Sequence, residues 1–333
     1  MKKVFQLWGL ASDDGLNRDH VMNVVDRLLE SHPDYLVAGQ NGDRELLRMI
    51  CDRAHRAGVK VHQWASLFSE NDFAADFDPL IGADGRPQKR VYGDNFNFRC
   101  PASEKNVRLF AALQQQQMQD VPFDGVFLDR VRYPSMSNGA LACFCPDCVG
   151  RCEQAGLDVD RLRLVTHFGH YEGTHLIWAD AEVQRFFEER MQAITRAVAL
   201  LKDIFGEVSL DLFPPALMPL VGQDFDALAP LAAFVKPMLY RYTTAPAGLP
   251  YELDAFAPHV DHLPSAEAQV GMVHAPHIYW GIECVRVPGV AEMTPETIRE
   301  SVALVRANGG QGVCASWNLI AAPDENLKAI AGA

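Results

Sequence analysis

The chain has 333 residues, 48% of them apolar and 22% charged, and 30 Lys and Arg against 43 Asp and Glu leave a formal net charge of −13. That composition supplies a full hydrophobic core, so disorder is not needed to explain it. An acidic balance without a basic run excludes a nucleic-acid partner; no window has the apolar length that spans a bilayer, which excludes a membrane partner of that kind.

The opening MKKVFQLWGLASDDG has no small-residue cleavage site, and its apolar run at 4–7 predicts a buried strand. Further strands are expected in chain order at 35–38, 60–65, 125–129, 208–213, 234–240, 278–283 and 312–317. Helical periodicity lies between them at 19–30, 44–57, 103–119, 179–204, 225–233, 251–260 and 295–308, with a short final helix from Pro323. Gly58 can end the second helix, and Asn308-Gly309-Gly310 the last long one. Two segments are too long to be plain loops, 68–99 and 134–173, and each follows a strand's carboxyl end.

Strands alternating with helices, no Gly/Ser-rich linker and no internal repeat predict one (β/α)8 TIM barrel domain over residues 1–333, with insertions at about 68–99 and 134–173. The alternative is a doubly wound sheet; its dinucleotide form is disfavoured because WGLASDDG, not GxGxxG, follows the first strand. In a barrel the loops after strands build the active-site face, so the insertions predict a roofed cleft.

Ionisable residues that end apolar runs are then the candidates for chemistry. Asp129 ends the fourth run, Asp211 lies in the fifth and Glu283 ends the seventh. With period two, Asp129 shares a face with Phe127, Asp211 with Ser209, and Glu283 with Tyr279 and Gly281. Strands four and seven face each other across a barrel mouth, which makes Asp129 and Glu283 the expected carboxylate pair and Asp211 the reserve. Such a pair can cleave a glycosidic bond. Alternatively each acid is a strand-end residue paired with Arg130, Arg132 or Arg241. Aromatics near strand ends, Trp8, Trp64, Tyr240, Tyr242, Trp280 and Trp317, offer flat faces to a sugar ring or fill the core. Trp317, Tyr240 and Trp64 are expected to line the pocket, with Arg132 and His62 contacting hydroxyls. A competing metal-dependent chemistry would use His62, His274 and His277, but no HExxH helix supports it. GxSxG and P-loop motifs are also missing from the sequence.

The most specific signal is Cys143-Phe-Cys145-Pro-Asp-Cys148, three thiols in a C-x-C-x2-C knuckle suited to one tetrahedral zinc ion. Cys100 or Cys152 can supply the fourth thiolate. Cys100 is preferred because the third and fourth strands of a barrel are neighbours. An empty thiol cluster is the alternative. Crowded cysteines in a chain otherwise sparse in them predict a reducing, cytoplasmic setting.

FDGVFLDRVRYPS followed by CFCPDC, with the earlier NFRCPASEKNVR, resembles glycoside-hydrolase-like barrel proteins related to family 10-type and family 42-type glycoside hydrolases. The resemblance implies a (β/α)8 barrel acting on a glycan fragment or small glycoside, without an organic cofactor. It further implies Asp129 as catalytic acid, Glu283 as nucleophile, and a zinc site with one cysteine before and three within the loop after the fourth strand. Where those families end the fourth strand in Asn-Glu, this chain has Leu128-Asp129-Arg130. A barrel that binds sugar without cleaving it is the other expected class, and a metal-dependent hydrolase the third.

Overall fold

A computed structural model describes residues 1–8, 10, 17–39, 43–70, 76–87, 97–139 and 141–332. Eight strands form one parallel sheet: β1 (Lys2–Leu7), β2 (Tyr35–Ala38), β3 (Lys60–Ser66), β4 (Gly125–Asp129), β5 (Val208–Leu212), β6 (Val235–Pro237), β7 (Trp280–Glu283) and β8 (Gly312–Ser316). The sheet order runs β6-β5-β4-β3-β2-β1-β8-β7, and parallel bridges Val235 to Ile278 and Met238 to Gly281 join its two ends. The sheet is thereby a (β/α)8 barrel. Its strands are nearly continuous apolar runs because both faces are covered, one by the barrel interior and one by helices.

The outer layer follows local capping signals. Asn17 caps α1 (Arg18–Leu29), Asp43 caps α2 (Arg44–Arg56), Ser103 caps α3 (Glu104–Met118) and Asp180 caps the long helix after the second insertion (Ala181–Phe205), each side chain accepting backbone N–H groups that the first turn leaves unpaired. Several expected elements are shorter than their patterns; the strand expected over 278–283, for example, is formed at Trp280–Glu283. The helix expected over 225–233 is α-helical only at Phe225–Leu228 and continues as a 3-10 turn at Ala229–Leu231, because Pro230 has no N–H to donate. Strand six is regular only over Val235–Pro237, although the Met238 N–H still reaches Leu212 O and the Leu239 N–H Gly281 O, each at 2.9 Å. The 134–173 insertion folds: it holds helices Pro146–Gln154 and Val159–Arg163, and strand Gly169–Glu172 pairs with both His175–Trp178 and Val260–Asp261. In the 68–99 insertion Ser69–Glu70 pairs with Asn97–Phe98, while 71–75 and 88–96 lie outside the described residues.

Aromatic rings close the barrel's lower end. Phe234 packs on Tyr35, Phe127 and Tyr279 with ring centroids 4.7, 5.7 and 5.5 Å apart. His62 belongs to this floor and not to the sugar contacts expected of it. It is fully buried, with Nε2 2.9 Å from Glu207 Oε1 and Nδ1 3.0 Å from Ser209 Oγ. Gly125, its register partner on β4, leaves the room, since a Cβ there would stand 3.0 Å from His62 Nε2. Ring and carboxylate sit towards the amino-terminal end of their strands, with Trp64, two residues further along β3, on the wall of the cleft.

Candidate active site

The strands' carboxyl ends surround a cleft of about 230 Å3. Asp129 and Asp211 lie on its wall with Gln6, Arg130, Arg132 and Phe213, and the aromatic residues Trp8, Trp64, Tyr240 and Trp317 line it as well. Register accounts for the meeting of the two acids. β4 and β5 pair Phe127 with Ser209 and Leu128 with Leu210, and Asp129 and Asp211 each follow the last pair by one residue.

Their surroundings differ. Asp129 Oδ1 accepts from the Arg130 backbone N–H at 2.6 Å, and Oδ2 from Trp64 Nε1 at 3.2 Å. Arg130 takes a left-handed φ of 53°, which turns the chain at the strand's end while its guanidinium reaches Ser69 O at 2.9 Å. Asp211 is buried, and its Oδ2 accepts from Lys236 Nζ at 2.8 Å while Oδ1 has no hydrogen-bond partner among the described residues. Burial pushes the Asp211 carboxyl up to about 7; the charge of Asp129 adds to this, and Lys236 and Arg132 oppose it. The cation beside Asp211 is thus a lysine, not one of the three arginines considered from sequence. Its signal was present in the chain: a lysine inside the apolar run Phe234-Val-Lys-Pro-Met-Leu-Tyr240 must be partnered.

Glu283 is not on the cleft wall. It is fully buried at the end of β7, where Oε1 accepts from Tyr242 N at 2.6 Å. Burial pushes its carboxyl up to about 7 against that backbone hydrogen bond. The structure therefore brings together Asp129 and the reserve acid Asp211, on adjacent strands, and keeps Glu283 behind the loop that follows β6.

Two aromatic pairs flank the acids. Trp8 and Trp64 have ring centroids 5.5 Å apart, and Tyr240 and Trp317 5.7 Å apart. Trp280 and Tyr242, also considered as sugar platforms, are placed elsewhere. Trp280 faces the helix layer beside Gly310, and the Tyr242 hydroxyl donates to Glu300 at 2.7 Å. Arg132 is on the wall, its guanidinium 4.4 Å above the Phe213 ring and donating to Tyr133 O and Asn138 Oδ1. Of the histidines proposed for a catalytic metal, His277 bonds Ala229 O at 2.9 Å and His274 lines a cavity beside Gly309 and Gln311. Neither is near Asp129 or Asp211, because both precede β7 at the barrel's lower end.

Beside the mouth, Cys100, Cys143, Cys145 and Cys148 are buried with their sulfurs all within 4.8 Å of one another. Cys100 Sγ is 3.4 Å from Cys145 Sγ and 3.5 Å from Cys148 Sγ. Tetrahedral sites with Zn–S near 2.3 Å need sulfurs about 3.8 Å apart, so the donor set fits a metal ion of that kind. The Cys143 sulfur also accepts from Ile81 N at 3.3 Å and from Cys145 N at 3.4 Å. Cys152 is buried nearby but is not one of the four.

No family model matches the chain, and no curated protein does. Solved structures do match. The glycoside hydrolase domain of PgaB (BpsB) from Bordetella bronchiseptica superposes with a TM-score of 0.70 at 13% identity over 99% of this chain and 98% of that one. The β-galactosidase of the psychrophilic Marinomonas ef1 gives a TM-score of 0.62 at 11% identity, covering 99% of this chain and 58% of that one. Gan42B, a family 42 β-galactosidase from G. stearothermophilus, gives 0.56 at 12% identity over 98% and 55% of the two chains. The chain has the barrel fold of these glycoside hydrolases.

Proposed function

We propose that the chain is a glycoside hydrolase, one barrel domain over residues 1–333, whose reacting carboxylates are Asp129 and Asp211. The observation that carries this reading is the presence of both acids on one aromatic-walled cleft in two different environments. Asp211, pushed up to about 7, suits a group that must hold a proton at neutral pH and give it up. It passes that proton to the glycosidic oxygen as the C–O bond breaks. Asp129, both of whose oxygens accept N–H hydrogen bonds, fills the other role. It either takes a proton from the water that adds to the anomeric carbon, or attacks that carbon itself to form an ester that water then hydrolyses. The two aromatic pairs stack on sugar faces, Arg132 meets hydroxyls, and a glycan fragment or small glycoside is the substrate class.

Turnover of aryl glycosides and oligosaccharides tests this. Asp129→Asn and Asp211→Asn should each lower kcat by roughly 10²- to 10⁴-fold with the fold intact. Sugar binding without turnover in the parent would replace the reading by a non-catalytic barrel. An equal loss in Glu283→Gln, with Asp211→Asn active, would restore the pair across the mouth.

We further infer that the four clustered cysteines hold one structural zinc ion. Four thiolates leave no open position for water, so such an ion would serve folding and not the reaction. It would tie the segment before α3 to the loop after β4. All eight cysteines are free and buried, which supports a reducing, cytoplasmic setting.

A further inference from the structure

Beneath the cleft lies a lysine with no exposed surface. Lys236 projects from β6 into the barrel, where its Nζ donates to Asp211 Oδ2 at 2.8 Å and to Gln6 Oε1 at 3.2 Å. Register places it there, since Lys236 and Asp211 are partners across β6 and β5. Space is provided by Gly281 on β7: a Cβ at that position would stand 2.8 Å from Lys236 Cε. Gln6 is itself fixed, its oxygen also accepting from Ser316 Oγ at 3.1 Å. Three other strands thus contribute to holding one ammonium against one carboxylate oxygen. Replacing a buried ion pair by apolar side chains is often neutral or stabilising, so stability alone gives no reason for this arrangement.

We propose that Lys236 is the positioning residue of Asp211: it occupies Oδ2, leaves Oδ1 as the oxygen that carries the proton, and keeps that proton releasable. This rests on the glycosidase reading for its catalytic meaning. The charged and titratable groups facing Asp211 are Asp129, Arg130 and Arg132 from β4 and the turn after it, Lys236 from β6, Tyr240 from the following loop and Cys314 from β8. Burial raises Cys314 to about 12 and Tyr240 higher still, so both are neutral at pH 7. Burial and Asp129 both favour the protonated carboxyl; Lys236, in direct contact, is the nearest charge opposing them, with Arg132 behind it. Without Lys236 the acid would hold its proton too tightly to protonate a leaving group near neutral pH.

Lys236→Met keeps most of the stem and removes the charge. Carbon-13 NMR of aspartate carboxyls reads Asp211 directly, its resonance assigned by its loss in Asp211→Asn. The midpoint of Asp211 should rise by about one unit or more in Lys236→Met. On a glycoside the parent cleaves, the basic limb of kcat/KM should move up with it while the plateau falls. Gly281→Ala keeps the amine but displaces its stem, and should shift the midpoint less in the same direction; it decides the matter if the Met variant does not fold. A midpoint unchanged in the folded variant overturns the proposal. Absence of turnover in the parent would sink the glycosidase reading alone, because the carboxyl titration judges Lys236 without it.

Discussion

Acid should loosen the floor of the barrel through Glu207, and Glu207→Gln isolates the effect. Glu207 Oε1 accepts from His62 Nε2 at 2.9 Å and Oε2 from Lys60 Nζ at 2.7 Å. The His62 hydrogen bond contributes most; burial opposes it and Lys60 assists, bringing the carboxyl from its ordinary 4.5 down to about 2. A difference of about 2.5 units corresponds to no more than ~3.4 kcal/mol at 1.36 kcal/mol per unit. The Glu207 side chain is 28% exposed. Solvent screening therefore reduces the contribution to about 1–2 kcal/mol. A carboxyl whose folded value lies below its unfolded value stabilises fully above the unfolded value, and the contribution is lost as pH falls towards the folded one. The window is thus from 4.5 down to about 2. Urea unfolding of the parent and the variant between neutral pH and about pH 3 measures it. The parent should lead by about 1–2 kcal/mol at neutral pH, with the gap closing in acid. Asp43, Asp78 and Asp180 are also held below their ordinary values, but they are common to both proteins and cancel in the difference. A gap that stays constant through the acid range would refute the ion-pair account of the floor.

Protein purified without added zinc should carry about one metal ion per chain; Cys100→Ser should lose it and Cys152→Ser should keep it, by elemental analysis. Metal absent from the parent, or retained in Cys100→Ser alone, would refute that ligand set. Trp317→Ala, which removes one ring of the Tyr240 pair, should weaken oligosaccharide binding by about tenfold in calorimetry, as expected for roughly 1.4 kcal/mol of lost stacking and burial. Gly125→Ala places a Cβ 2.6 Å from Glu207 O and 3.0 Å from His62 Nε2. It should cost about 1–3 kcal/mol of stability, seen as a lower Tm.

Much of this protein was legible in one dimension. Apolar runs of strand length separated by helical periods specify a barrel because a parallel strand needs a crossover between neighbours and burial on both faces. Asp129 was legible because an acid ending such a run stands where the barrel opens, and CxCxxC because a tight turn alone brings three sulfurs together. Pro230 was not legible as a break within the expected helix over 225–233, although its missing N–H fits the change to a 3-10 turn there. Nor was depth along the barrel axis legible. His62 and Trp64 share a face of one strand, yet two residues' rise separates a buried floor from an open mouth. Which acids meet was also beyond the sequence, since opposition across the mouth favoured Glu283 while the loop bearing Tyr242 covers it and the β4–β5 register brings Asp211 beside Asp129. The same holds for Lys236, whose partner is set by cross-strand register and whose space is set by a glycine on a third strand. Local chemistry writes elements and turns into the chain; proximity between distant strands arises only when the barrel closes and each side chain receives its height and its neighbours.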